Sequence, residues 1–326
     1  MKHVSILVPE GAILGSLEGS RQLFTQVNGF LNARGEASIF KVELVGLEKD
    51  ITLTGGLFTA HTDCTIRDLA KTDLIIIPAI DGDMEYALKK NKDFIPWIRE
   101  QYRNGAEVAS LCLGAFLLAA TGLVEGKTIA THWMAANDFR KMFPDVNLVT
   151  EKIITDDQGI YTSGGAFSYL NLILYLIEKY AGRNIAILTA KVFAIEIERN
   201  DQLSFTIFQG QKEHEDEPVK KAQEFIENNF QNKITIDQLA NMFALGRRNL
   251  ERRFKKATDN TVIEYMQRVK IEVAKKSLET ERKSVNEVMY HVGYSDTKAF
   301  RTTFKKITGL SPIEYRNKYN KESIEI

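Results

Sequence analysis

The chain has 326 residues, too many for one ordinary core, and this length points to two domains. Hydrophobic residues make up 44% and charged residues 26%, which excludes a chain too polar to bury real cores. The formal charge of zero hides an asymmetry. From Pro218 onward 22 Lys and Arg face 14 Asp and Glu, a net of +8, leaving −8 on the residues before it. A basic part joined to an acidic part suggests that only the C-terminal portion meets a polyanion. The two cysteines, Cys64 and Cys112, cannot make a disulfide framework, so a reducing cytoplasm is expected. The start, MKHVSILVPEG, breaks at Pro9 without the apolar region of a signal peptide. The longest near-apolar stretch, Leu111–Val124, contains Gly114, Thr121 and Gly122 and is too short to span a bilayer, so no membrane association is expected.

In chain order, apolar runs rich in β-branched residues lie at Val4–Val8, Ile39–Val45, Leu74–Ile77 and Val108–Leu111, with weaker ones at Thr128–Thr131 and Ile153–Thr155. Such runs fit strands buried on both faces. Amphipathic stretches at Ser20–Ala33, Asp93–Asn104 and Tyr169–Tyr180 predict helices between them. The alternation predicts an α/β doubly wound domain over residues 1–208 with a mostly parallel sheet. Within it a strand runs into Cys112 and a helix starts at once, with small Gly114 and Ala115 at the turn. This is the logic of a nucleophile elbow, and the helix N-terminus predicts a lowered thiol pKa.

Cys112-Leu-Gly-Ala-Phe116, Gly122-Leu123, Gly126 and Thr131-His132-Trp133 resemble the ThiJ/PfpI superfamily, which has the class I glutamine amidotransferase-like fold. The closest match is the branch fused to a DNA-binding domain, the GlxA-like regulators, and it covers roughly residues 1–210. Protease-like members carry His directly after the nucleophile; here Leu113 stands there, so a ready-made Cys–His pair is missing. Glu10, or less closely Glu18, is the counterpart of an acidic residue that many members carry near the end of the first strand. Without an oriented base a thiol is a poor nucleophile at neutral pH. The resemblance implies a non-enzymatic domain in which Glu10, Cys112, Leu113 and His132 line an effector pocket or keep an inherited elbow. Redox sensing and catalysis through Cys112 stay open, as does a purely structural role for His132 beside Trp133.

Residues 209–218 are polar and charged, with Gly and Pro punctuation, and predict a solvated linker. In GlxA-like regulators a similar His-x-Asp stretch leads into the DNA-binding domain; His214 and Asp216 hold those places and are not read as metal ligands. No metal or cofactor is expected.

From residue 219 to 320 the period is helical, and an all-α domain is predicted. Val219, Ala222, Phe225, Ile226 and Phe230 share one face. Thr235 is placed to cap a helix containing Leu239 and Ala240, a turn follows at Gly246, and Arg247–Lys256 forms a basic helix with Leu250 and Phe254 inward. This is a helix-turn-helix. After a long connector, Val262–Leu278, the pattern recurs: Ser284 caps a helix with Val288 and Met289 inward, Gly293–Asp296 turns, and Thr297–Lys306 is basic with Phe300 and Phe304 inward. A last short helix begins at Ile313.

Leu239-Ala240, Arg248-x-Leu-x-Arg-x-Phe254, Gly293-Tyr-Ser-Asp-x-x-x-Phe-x-x-x-Phe304 and Gly309-x-Ser-Pro-x-x-Tyr-Arg316 resemble the AraC/XylS DNA-binding domain over about residues 218–318. The resemblance implies a transcription regulator whose two recognition helices lie about one DNA turn apart, roughly 34 Å. By position, Arg247, Arg248, Glu251 and Arg252 on the first helix and Lys298, Arg301 and Thr302 on the second contact double-stranded DNA. It further implies a homodimer and an α/β domain that senses an unidentified small-molecule effector, serves dimerisation alone, or does both, and it leaves RNA polymerase open as another partner.

Overall fold

The computed structural model describes residues 1–197 and 201–320. The chain divides into one unit up to Gln202 and a second from Leu203. Among the described residues no helix is long and apolar enough to cross a membrane.

The first unit begins with β1 (Lys2–Val8), α1 (Leu14–Asn32) and β2 (Phe40–Gly46), followed by the hairpin β3 (Asp50–Leu53) and β4 (Phe58–His61) and the short β5 (Cys64–Thr65). Next come β6 (Leu74–Ile77), α2 (Met84–Lys90), α3 (Phe94–Arg103), β7 (Glu107–Leu111), α4 (Ala115–Ala120), β8 (Thr128–Ile129) and α5 (Ala136–Met142). The unit continues through β9 (Asn147–Leu148), β10 (Ile154–Asp157), β11 (Ile160–Ser163), α6 (Tyr169–Ala181) and α7 (Arg183–Val192). The main sheet, among the described residues, has the order β10-β11-β7-β6-β1-β2-β5. It is parallel except for the β10–β11 pair. One face packs on α1, α6 and α7 through Phe24, Leu172 and Ile177; the other packs on α3, α4 and α5 through Phe94, Phe116 and Phe139. The strand order reverses direction between β1 and β6, the place where ligands of such sheets bind, beyond the carboxyl ends of the strands.

The clearest departures from the sequence pattern are α1 and β11. α1 starts at Leu14, six residues before the expected Ser20, because its first turns are built from small residues that the hydrophobic period does not register. Those residues allow close packing: Tyr169 donates to the Gly15 carbonyl at 2.7 Å, and a Cβ on Gly19 would lie 2.4 Å from the same hydroxyl. β11 is buried along its length, yet its polar Thr162 and Ser163 hide it from a search for apolar runs. It folds back from β10 through Gln158 and Gly159, at φ 52° and 77°, the paired left-handed geometry of a tight hairpin.

At the amino edge of β7, Glu107 accepts from Tyr161 at 2.6 Å and Lys2 at 3.3 Å and is further bound by Lys179 and Tyr180. Burial alone would raise its pKa, but these donors win and hold the carboxyl at about 2.

The second unit contains α8 (Glu217–Asn228), α9 (Ile236–Met242), α10 (Arg247–Thr258), α11 (Val262–Thr280), α12 (Val285–His291), α13 (Thr297–Thr308) and α14 (Pro312–Tyr319). It holds two small cores. Val219, Ile226, Leu239, Leu250 and Phe254 form the first, and Val288, Met289, Phe300, Phe304 and Tyr315 the second. α11 serves both: Val262, Tyr265 and Val269 enter the first, and Ile271, Ala274 and Leu278 the second. Thr235 and Ser284 form capping boxes at α9 and α12.

Residues 209–218 do not run through solvent as a plain connector. Just before them, Phe208 stacks edge-on against Tyr265 with ring centres 5.1 Å apart. Gln223 donates to the Gln211 carbonyl at 2.9 Å, and Asp216 caps α8, whose first residue is Glu217. The segment is held by hydrogen bonds rather than apolar spacing, so its composition reads as solvated.

Candidate functional site

β7 delivers Cys112 to a sharp turn. The cysteine adopts φ 52°, a left-handed conformation that costs a residue with a Cβ and persists where the surroundings enforce it. What enforces it is the approach of the next turn to β6. A Cβ on Gly114 would lie 2.4 Å from the Pro78 carbonyl oxygen and 2.8 Å from that of Ile77, so only glycine lets α4 begin here. The Thr131 hydroxyl donates to the Cys112 carbonyl at 2.9 Å, and the Gln202 side-chain amide donates to the Thr131 carbonyl at 3.1 Å. The elbow geometry expected from the sequence is therefore present.

Its electrostatics differ from the expectation. Cys112 is 5% exposed, and burial pushes its thiol up to about 11; the Leu113 amide lowers it only in part. A helix N-terminus lowers a thiol pKa where solvent also supports the anion; here desolvation outweighs it. His132 does not compensate. Its Nδ1 accepts from the Met134 amide at 3.2 Å, its ring lies 5.5 Å from that of Trp133, and burial lowers its pKa. Among the described residues no hydrogen bond joins His132 to Cys112. Leu113 packs into the helix-side core. Glu10 lies half exposed with Lys90 3.8 Å away. Near the elbow, the Ser163 hydroxyl and the Gln202 carboxamide oxygen are buried without a partner among the described residues.

Beyond the carboxyl ends of β1, β2 and β6 lies a cleft of about 1010 Å³. Glu10, Glu48, Asp50, Asp81, Asp83 and Asp93 line it against Arg67 and Lys90, and Cys112 and His132 do not. Of the expected pocket residues, the structure thus sets Glu10 in this cleft and the others at the elbow. Sequence reading missed the cleft because its walls come from loops far apart in the chain; the clue was the topology, which puts the switch point there.

In the second unit Arg247, Arg248 and Arg252 on α10 and Lys298, Arg301 and Thr302 on α13 are exposed, and Glu251 is half buried. Arg247 lies 3.2 Å from Asp237 and 3.5 Å from Glu251, and Arg252 donates to Asn249 at 3.3 Å. Arg248, Lys298 and Arg301 have no ion-pair partner among the described residues, so their donors are available to an incoming acceptor. Exposed pairs such as Arg247–Glu251 are weak and can be exchanged for other partners.

Residues 29–179 match the DJ-1/PfpI family and residues 239–318 match a helix-turn-helix domain. The HTH-type transcriptional regulator GbdR of Pseudomonas aeruginosa is 26% identical over 255 residues, covering 73% of this chain and 66% of that protein. The chain therefore spans just under two thirds of that relative's length. The isonitrile hydratase of Pseudomonas putida is 26% identical over 149 residues, 45% of this chain and 60% of the enzyme. The crystal structure of an AraC family transcriptional regulator from Pseudomonas putida shares the fold with a TM-score of 0.51 at 14% identity, covering 59% of this chain and all of that one.

Proposed function

We propose that this chain, which matches the DJ-1/PfpI family over residues 29–179 and a helix-turn-helix domain over residues 239–318, is a sequence-specific transcription regulator of the AraC type whose α/β unit senses an effector without catalysis. The observation that carries the DNA-binding part is the pair of like-built helices, α10 and α13, joined through one connector and exposing unpaired Arg248, Lys298 and Arg301. Arginine can pair bidentately with guanine and glutamate can accept from cytosine, so Arg247, Arg248, Glu251 and Arg252 would read one half-site, and Lys298, Arg301 and Thr302 the other. Lys255, Lys256, Lys305 and Lys306 suit phosphates.

The effector site follows from the carboxyl edge of the sheet. The cleft at the switch point is of ligand size, and its excess of carboxylates favours a ligand bearing positive charge. Glu10 lines that cleft, while the buried Cys112 and the half-buried Leu113 and His132 belong to the elbow beside the strand ends. Self-association, a contact with RNA polymerase and residence in a reducing cytoplasm belong to the same reading.

The test is a genome-wide DNA pull-down in physiological salt with the wild type and with Arg248→Ala/Arg301→Ala. A shared bipartite motif that the double variant loses supports the reading. A folded wild type that enriches no motif in the presence of its cell extract overturns it.

The left-handed Cys112 and the likeness to a hydratase favour a second reading, an enzyme acting through this thiol. A thiol held at about 11 is almost fully protonated at neutral pH. Its alkylation by iodoacetamide should rise about tenfold per pH unit through neutrality and level only near that value. A plateau by pH 8 would favour the enzyme.

A further inference from the structure

We propose that Asp216 and Arg253 are a positioning pair that holds α10 in its reading pose. Base recognition by α10, and not by α13, then depends on residues 211–216, just ahead of α8. The inference rests on reading α10 as a helix that enters DNA; it does not depend on what the α/β unit binds.

The contact is a fork. Arg253 Nε donates to one Asp216 oxygen at 2.8 Å and Nη2 to the other at 2.7 Å, with the side chains 32% and 21% exposed. Two parallel bonds fix direction as well as distance. The same carboxylate accepts from the Val219 amide at 3.2 Å and so caps α8. One side chain therefore ties the start of α8 to the middle of α10.

Asp216 is itself held in place. Its amide donates to His214 Nδ1 at 3.2 Å, and His214 Nε2 meets Gln223 Oε1 at 3.0 Å. Gln223 is fully buried, and its amide donates to the Gln211 carbonyl at 2.9 Å and to Tyr265 at 3.1 Å. The Asn260 amide donates to the Gln211 side chain at 3.1 Å. Residues 211–216 are thus stitched to α8, to α10 and to the corner between α10 and α11 through polar bonds.

α10 needs such a hold. Its inner face is fixed by Leu250 and Phe254, but its first turn starts at Gly246 with no side-chain cap. α13 starts at Asp296, which accepts from the Ala299 amide at 2.6 Å, and Thr303 stands where α10 has Arg253. The second helix has its own cap and no such fork; the part of the incoming segment that packs against it is Leu203–Phe205, ahead of residues 211–216.

Selection from a random double-stranded oligonucleotide library by the full-length chain tests this. The wild type should enrich two blocks of preferred bases. Asp216→Asn keeps an oxygen for the Val219 amide while removing the charge that faces Arg253. It should weaken binding roughly tenfold and flatten one block, the block that Arg248→Ala also erases. Arg253→Met should do the same, and the double variant should be no worse than either single, as for two halves of one interaction. Should Asp216→Asn fail to fold, as judged by its thermal melt, Arg253→Met carries the test. Both blocks surviving, both fading alike, or additive losses in the double variant would overturn the pair's positioning role. If Arg248→Ala spares the block that Asp216→Asn erases, base reading by Arg248 fails and the pair stands.

Discussion

The two halves of the DNA-binding unit are built to one plan and finished differently. Leu250, Phe254 and Thr258 of α10 correspond, fifty residues on, to Phe300, Phe304 and Thr308 of α13. Each helix ends in a left-handed residue, Asp259 or Gly309. The next helix then opens with a capping box, Thr261–Glu264 or Ser311–Glu314. A buried tyrosine follows in each, Tyr265 donating to Glu227 at 2.7 Å and Tyr315 to Glu279 at 2.6 Å. The scaffold residues repeat, as do the outward Lys255 and Lys256 in Lys305 and Lys306, while other outward ones do not: Arg248, Glu251 and Arg252 stand where the second half has Lys298, Arg301 and Thr302. The core positions and the positions proposed to read bases are therefore separate on the same helix, and the halves can diverge at the second without diverging in fold.

The largest expected effect separates the cores. Phe254→Ala and Phe304→Ala should each cost about 3–5 kcal/mol. Hydrogen exchange should show the loss of protection concentrated in the half that carries the substitution; equal loss in both halves would mean the two cores fold as one. The turns differ next. Gly293, at φ 74°, would bring a Cβ within 2.2 Å of the Gln231 carbonyl oxygen, whereas the first half places Ala244 at φ 52° in the matching turn. Gly293→Ala should cost about 1–3 kcal/mol, and Ala244→Gly should cost nothing or stabilise by up to about 1 kcal/mol, both measured by urea denaturation. The caps come third. Asp296→Ala should lose about 1 kcal/mol, while Gly246→Ser should gain a few tenths, read as shifts in thermal midpoint.

The smallest effect concerns pH. Arg253 holds the Asp216 carboxyl below its ordinary value near 3.8. Its contribution is thus fully present above that value and fades as pH falls toward the lower folded one. Both halves hold further lowered carboxylates, Glu264 in the first and Glu281, Glu287 and Glu314 in the second, so both should lose protection as pH falls below about 4, and the fork should add a further loss to the first half alone. Asp216→Asn should remove that further loss in an acid titration followed by amide exchange.

Much of this plan was legible in the sequence because it depends on local pattern. Leu74–Ile77 is a strand with the expected bounds, and Thr235 and Ser284 cap the helices they precede. What escaped reading depends on neighbours distant in the chain. Thr162 and Ser163 form a strand because β7 lies beside them, and Cys112 keeps its proton because of burial that no spacing reveals. Gln211, His214 and Asp216 look like a solvated connector until their partners on α8, on α10 and in the corner before α11 are known.

α11 has 19 residues, about 28 Å at roughly 1.5 Å each. Its two ends are built into different cores, and Phe230 packs against both. The helix is therefore a ruler. One base pair inserted between half-sites adds about 3.4 Å and turns the second by about 35°, a change that this unit cannot absorb without breaking one of its cores. On the proposed function, spacing becomes a third element of the address, written in helix length, and a promoter would leave such a regulator's control by a single insertion that alters none of the contacted bases.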